Sequence, residues 1–234
     1  MIGYDRPLKP EWIYKTLKMV ESGKKPEDYY DAYNDIAVEL TGKDGRRKTR
    51  TVLFRTFIYS FQQKTSIIEC NILINLCKEK DYEYMKPILL AMFILDYDIL
   101  KYFTQMYFKI FDPSQVVSST ALTKKMTEAY GDTEIVKRST RAFLKTLSDF
   151  GIIEPTGTNT FHQINKSKLT AEQVSDILKL YATVKHTKQV DIQNIDKSIF
   201  AFYTIPDLST VAHQFHTTEW EYIKGIERGL LMLH

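Results

Sequence analysis

The sequence predicts a mainly α protein: an N-terminal helical bundle followed by a winged helix-turn-helix-like region with a small β-hairpin. Three observations predict it. Apolar residues recur at helical spacing through the first 111 positions, the pattern that buries one stripe of each helix. Only nine glycines and seven prolines occur in 234 residues, too few for a sandwich or barrel built on many tight turns. From Ser118 to Ile164 two amphipathic segments each end at a glycine, and two short apolar runs then flank EPTGTNT, a dense turn signal.

The elements follow in order. Pro10 suits the first position of a helix over EWIYKTLKMVESG, with Trp12, Ile13, Leu17 and Val20 on its apolar side and Gly23 as its stop. A second helix is expected from Pro26 to Leu40, ending at Thr41-Gly42. A third follows a basic turn, with Val52, Phe54, Ile58 and Phe61 as its apolar positions and Arg47, Arg50 and Arg55 on its N-terminal part. A fourth runs from Thr65 to Lys78. Tyr82 to Phe111 reads as two helices breaking near Asp96-Tyr97-Asp98. Its all-round hydrophobicity marks it as the most buried part of the chain.

After Asp112-Pro113, Ser118 or Ser119 caps a helix that stops at Gly131. Asp132 or Thr133 caps the next, which carries KRSTRAFLKTLSDF and stops at Gly151. Ile152-Ile153 and FHQI (residues 161–164) are short strands around the turn. Helix, tight turn, helix, strand, turn, strand is the winged helix-turn-helix order. The chain therefore divides into residues 1–112, a helical bundle with a basic turn, and residues 113–234, the winged region with a C-terminal helical extension. In that extension Leu169–Lys185 and Leu208–Phe215 read as helices. Residues 189–202 are open, and Trp220–Leu233 fits either a terminal helix or a helix ending in a strand.

The formal net charge is only +3, but its distribution is uneven. Gly42–Arg55 holds Lys43, Arg46, Arg47, Lys48, Arg50 and Arg55 against the single acid Asp44, and follows an acidic stretch from Glu27 to Glu39. Such polarity points to contact with nucleic acid or a membrane surface. On a helix over residues 134–150, Val136, Phe143, Leu144, Leu147 and Phe150 fall on one side. Lys137, Arg138, Arg141, Lys145 and Ser148 fall on the other, at i, i+4, i+8 and i+11 spacings. No acid interrupts the basic part of that face, and Asp149 comes only in the last turn. Unpartnered cations at such spacing repel by a few tenths of a kcal/mol per pair. Double-stranded DNA would relieve the repulsion, because each Lys or Arg that meets a phosphate releases a counterion and a helix fits the major groove. Arg138 and Arg141 are then the base or phosphate contacts, since guanidinium binds bidentately. Ser139 and Thr140 offer hydroxyls, and Lys137 and Lys145 neutralise backbone.

Enzymatic chemistry has little footing. GxxxxGK[ST], GxGxxG and GxSxG are absent, and Gly42-Lys43 lacks the upstream glycine a phosphate loop needs. His213-x-x-His216-x-x-Glu219 has metal-ligand spacing but no supporting cluster, so the histidines read as solvated or partly buried. Asp96-x-Asp98 reads as a helix break. No catalytic residue, metal or cofactor is expected. Cys70 and Cys77 would lie two turns apart on one helix face, too far for a disulfide, which suggests free thiols in a reducing cytosol. The first twenty residues carry Asp5, Arg6, Lys9, Glu11, Lys15 and Lys18, unlike a signal peptide. The strongest apolar run, PILLAMFIL, is nine residues, against about 20 for a membrane span. A cytoplasmic protein without a membrane partner is expected. Two other classes remain open: a protein-interaction adaptor whose basic face meets an acidic partner, and an enzyme whose site is assembled from scattered residues.

The layout resembles the BrxA-type small proteins of bacteriophage-exclusion (BREX) islands. The resemblance runs through YKTLKMVESGKKPEDYYDAYNDIAVEL, the basic GKDGRRKTRTVLFRTFI, the apolar pair YMKPILLAMFILDYDILKYFTQMYFKIFD, VKRSTRAFLKTLSDFGII and the late EWEYIKGIERGLLML. It covers most of the chain as spacing and texture rather than as a catalytic motif. It implies a mostly helical, two-part protein that binds double-stranded DNA and takes part in defence against phage alongside other proteins of a defence complex. It places DNA contacts on Arg46, Arg47, Lys48, Arg50, Lys137, Arg138, Arg141 and Lys145. The short N-terminal start and the many aromatics depart from that plan.

Overall fold

Ten segments form α-helices in the computed structural model, which describes residues 3–64, 66–111, 116–225 and 228–234. Two three-stranded antiparallel sheets complete it. Helix α1 (Pro10–Met19) starts at its proline and ends before Gly23, which sits at φ +84° in the following turn. The single helix expected from Pro26 to Leu40 is instead a 3₁₀ turn over Pro26–Tyr29 and a short α2 (Tyr30–Ile36). Helix α3 (Lys43–Phe57) begins at Lys43, so the basic segment is helix from its first cation and not the turn the sequence suggested. Helix α4 (Ile72–Glu79) starts later than expected, where the Asn71 side-chain Oδ1 accepts the Leu73 and Ile74 N–H groups. That N-cap satisfies two of the four donors that a helix start leaves free.

Helices α5 (Tyr82–Asp96) and α6 (Asp98–Ile110) break at Tyr97 as read from the sequence. Every residue from Pro87 to Leu95 is buried, and α1, α3, α4, α6 and a later helix all pack on α5. Pro87 lies in the second turn of α5, where its missing N–H removes the bond to the Glu83 carbonyl.

A short strand β1 (Val116–Ser118) precedes α7 (Ser119–Tyr130); three residues give no periodicity, and it was not foreseen. The Ser118 hydroxyl caps α7 by accepting from the Ala121 N–H, and Gly131 at φ +89° ends it. Helix α8 (Glu134–Asp149) ends just before Gly151, at φ +73°. Strands β2 (Ile153–Gly157) and β3 (Thr160–Gln163) form a hairpin, and the sheet order is β1-β3-β2. Much of EPTGTNT is thus strand, with the turn confined to Thr158-Asn159. Pro155 is tolerated because β2 is an edge strand, and a bulge follows it.

Helix α9 (Ala171–Val184) has a reciprocal capping box between Thr170 and Gln173. Strand β4 (Gln189–Asp191) and a 3₁₀ turn over Lys197–Phe200 fill the stretch left open, and α10 (Leu208–Gln214) lies where expected. The last segment is a correction. Strands β5 (Trp220–Lys224) and β6 (Gly229–Leu233) pair antiparallel, with β4 on the other side of β6. Neither helical alternative holds there, because alternation of period two wins. Trp220 opposes Leu233 and Tyr222 opposes Leu231, and the fully buried Trp220 donates its indole N–H to the Ala212 carbonyl at 3.0 Å.

One hydrophobic cluster runs from Tyr4 to Leu231. Tyr4 draws the N-terminal segment into it, edge-on to Phe93 (5.1 Å), Tyr97 (5.4 Å) and Phe143 (6.2 Å). The Thr146 hydroxyl on α8 pairs with the Tyr4 hydroxyl at 2.5 Å and accepts the Leu8 N–H at 3.1 Å. One side chain thus pins both ends of residues 4–8. Thr146→Val keeps the shape and strands two buried polar groups, so we expect a loss of about 1–3 kcal/mol per stranded group, read as a lower urea midpoint with an unchanged m-value.

Candidate nucleic-acid interface

Helix α8 buries Val136, Phe143, Leu144 and Leu147, as its periodicity requires. The buried side is wider than the sequence suggested, taking in Ser139, Thr140, Ala142 and Thr146 as well. Ser139 is fully buried and its hydroxyl has no hydrogen-bond partner among the described residues; Thr140 donates to the Val136 carbonyl at 3.0 Å. The expectation that these two hydroxyls meet a ligand is therefore corrected. Ser139 is four residues before Phe143 and shares its stripe.

The four cations are at the surface: the side chains of Arg138, Arg141 and Lys145 are more than half exposed, and that of Lys137 is 40% exposed. They are not unpartnered, which is a second correction. Lys137 Nζ lies 2.5 Å from Asp132 Oδ1, and Lys145 Nζ 2.6 Å from Asp149 Oδ1. Glu134 Oε1 receives both Arg138 Nε at 3.2 Å and Arg141 Nη2 at 2.7 Å. The sequence showed Asp149 in the last turn; Asp132 and Glu134 lie before the basic stretch and reach its cations from one or two turns away. The hydrogen bonds from Arg138 and Arg141 hold the Glu134 carboxyl below the usual range. Four cations against three carboxylates leave a surplus of one. The exposed pairs to Asp132 and Glu134 contribute only about 0–1 kcal/mol each, so an incoming phosphate can replace those two carboxylates; Asp149 is mostly buried.

The α3 cations divide by role. Arg46 donates to the Leu40 carbonyl from Nε and to the Val38 carbonyl at 3.4 Å, tying off the chain after α2. Arg50 stacks on the Tyr30 ring at 3.5 Å. Arg55 donates to the Gly3 carbonyl at 2.8 Å and to the Tyr97 hydroxyl at 3.0 Å. These three hold the fold, so their guanidinium groups are committed inward. Arg47 reaches Asp44 at 3.5 Å, while the exposed Lys43 and Lys48 form no ion pair among the described residues.

Helices α3 and α8 meet indirectly, through the N-terminal segment. Arg55 of α3 holds Gly3, and Asp5, Arg6 and Pro7 line a cleft of about 550 Å³ with Glu134, Arg138, Arg141, Ala142 and Lys145 of α8. Arg6 is the residue that sequence reasoning missed as a site residue. Its position outside any periodic element gave no signal of what it faces.

The histidines have structural partners. The His213 ring meets Tyr222 edge-on at 4.7 Å, and His216 Nδ1 accepts the Tyr222 N–H at 2.9 Å. No group of three metal-ligating side chains occurs among the described residues. Asp96 closes α5 and accepts from the Ser60 hydroxyl at 2.9 Å, and burial pushes its carboxyl up. Cys77 is buried, its thiol pushed up to about 12 by burial; Cys70 precedes α4 and is exposed, so the two do not share a helix face. No described helix is long and apolar enough to cross a membrane. No family model, curated protein or solved structure matches the chain.

The division of the α3 cations can be measured. Arg55→Ala strands the Gly3 carbonyl, while the Tyr97 hydroxyl keeps its 2.7 Å bond to the Thr56 hydroxyl, and should lower unfolding free energy by about 1–3 kcal/mol. Lys48→Ala should stay within about 0.5 kcal/mol. Equal effects in urea denaturation would contradict the assignment.

Proposed function

We propose that this is a non-enzymatic protein that binds double-stranded DNA through a winged helix-turn-helix, with α8 as the helix that enters the major groove. The observation that carries the reading is the exposed row of Lys137, Arg138, Arg141 and Lys145, three of which pair with the surface carboxylates Asp132 and Glu134, which are displaceable, while Lys145 pairs with the mostly buried Asp149. The order α6–β1–α7–α8–β2–β3, with sheet order β1-β3-β2 and α7 packed on α8, supports it. Arg47, Lys43 and Lys48 on α3 are the candidates for added backbone contacts. The resemblance to BrxA-type proteins extends the proposal to a component of a prokaryotic anti-phage defence system, with other proteins of that system as partners.

A second reading is a protein-interaction adaptor. It is favoured by the pairing of every α8 cation with an internal carboxylate, which leaves a nearly neutral face suited to a mixed-charge protein surface.

Fluorescence anisotropy on a duplex across a salt series separates the two. DNA binding through the four α8 cations gives a log–log slope of roughly −3.6, at about −0.9 per phosphate. The doubly substituted Arg138→Glu/Arg141→Glu protein should lose duplex binding while its stability changes by no more than about 0.5 kcal/mol per surface site. Duplex binding unchanged in that variant would refute α8 as the contact helix.

A further inference from the structure

The N-terminal segment is anchored more firmly than its sequence suggests. Arg55 holds the Gly3 carbonyl, the Tyr4 ring is fully buried among Phe93, Tyr97 and Phe143, and Thr146 binds both the Tyr4 hydroxyl and the Leu8 N–H. Asp5, Arg6 and Pro7 are left as an arch between these anchors. Pro7 restricts the arch further by fixing its own φ. The arch lies along α8 at Ala142, a residue with almost no side chain to keep it away, and forms one wall of the cleft whose other wall carries Arg138, Arg141 and Lys145.

The content of the arch runs against self-stabilisation. It places a guanidinium in a cleft with Arg138, Arg141 and Lys145, lined by the acids Asp5 and Glu134; counting Asp149, which pairs with Lys145, four cations face three carboxylates, a surplus of one positive charge. The Glu134 carboxylate is already engaged by Arg138 and Arg141. Arg6 forms no hydrogen bond or ion pair among the described residues, and its Nε is buried without an acceptor. A guanidinium left with unused donors in a cationic cleft lacks an anion, and one with several acceptor oxygens satisfies it best.

We propose that Arg6 is a phosphate-binding residue, gripping the DNA backbone across the cleft together with Arg138, Arg141 and Lys145. This rests on the DNA-binding reading above. The arch fixes where a phosphodiester sits relative to α8, and so sets how the helix is oriented on the duplex; phosphate contacts position a protein without reading sequence.

The test is anisotropy on a mixed-sequence duplex across a salt series, using the full chain and the variants Arg6→Gln, Arg6→Lys and Lys15→Gln. Losing one phosphate contact should weaken binding about eightfold near 0.1 M salt and flatten the slope by about 0.9. Arg6→Gln should show both changes, by the same factor on unrelated sequences. Arg6→Lys should keep the slope. Lys15→Gln removes an exposed cation of α1 paired with Glu11 and should leave affinity and slope alone. If the wild type binds and Arg6→Gln keeps its slope, the proposal fails and the α8 reading stands. If Lys15→Gln flattens the slope as much as Arg6→Gln, the effect is net charge and the proposal fails. If the wild type shows no duplex binding, both fall together.

Discussion

Beyond its first turns, helix α5 has no polar side to give to water. Nine consecutive residues, Pro87 to Leu95, are buried, so other elements must cover it on all sides. That constraint orders the molecule. Helices α1, α3 and α4 cover one part, α6 folds back along another, and α9 closes it from the C-terminal half. Tyr84 and Gln173 tie the last contact, with the Tyr84 hydroxyl donating to Asp176 at 2.7 Å and the Gln173 amide donating to the Tyr84 carbonyl at 3.0 Å. Phe93 of the same helix receives Tyr4, Phe57 and Phe150 edge-on. The N-terminal segment, α3 and the end of α8 thus converge on one ring. The surface geometry of α8 and its neighbouring arch is inherited from that packing.

The charges on α8 obey a different economy. Each cation has a carboxylate within one or two turns, so the helix is electrostatically content when free. Exposed pairs give up little when broken, whereas phosphate offers several acceptors and releases counterions. Glu134 serves two guanidinium groups at once. It keeps both extended along the same side of the helix, so less side-chain freedom remains to be lost on binding.

How legible was this in the sequence? The break at Tyr97, the glycine stops at Gly131 and Gly151 and the apolar stripe of α8 could all be read, because each depends on local spacing or a local φ. The terminal hairpin could not, since Trp220 and Leu231 reveal their shared face only when two strands pair. β1 exists only because β3 is there to pair with it. The cationic row was visible and so were Asp132 and Asp149, but the pairing was not: Asp132, Glu134 and Asp149 flank the basic run rather than interrupt it. The same blindness hid the roles of Arg46, Arg50 and Arg55, whose partners are a carbonyl, a ring and a distant backbone group. Composition counts a guanidinium as surface charge wherever it points.

Glu134 also determines what the cleft does not sense. Its carboxyl is held below the ordinary range by the two arginines, and no histidine lines the cleft. Protons therefore have no handle on this surface near neutrality. If the cleft holds an anion as proposed, that grip is governed by ionic strength rather than by a shift of one pH unit near neutrality.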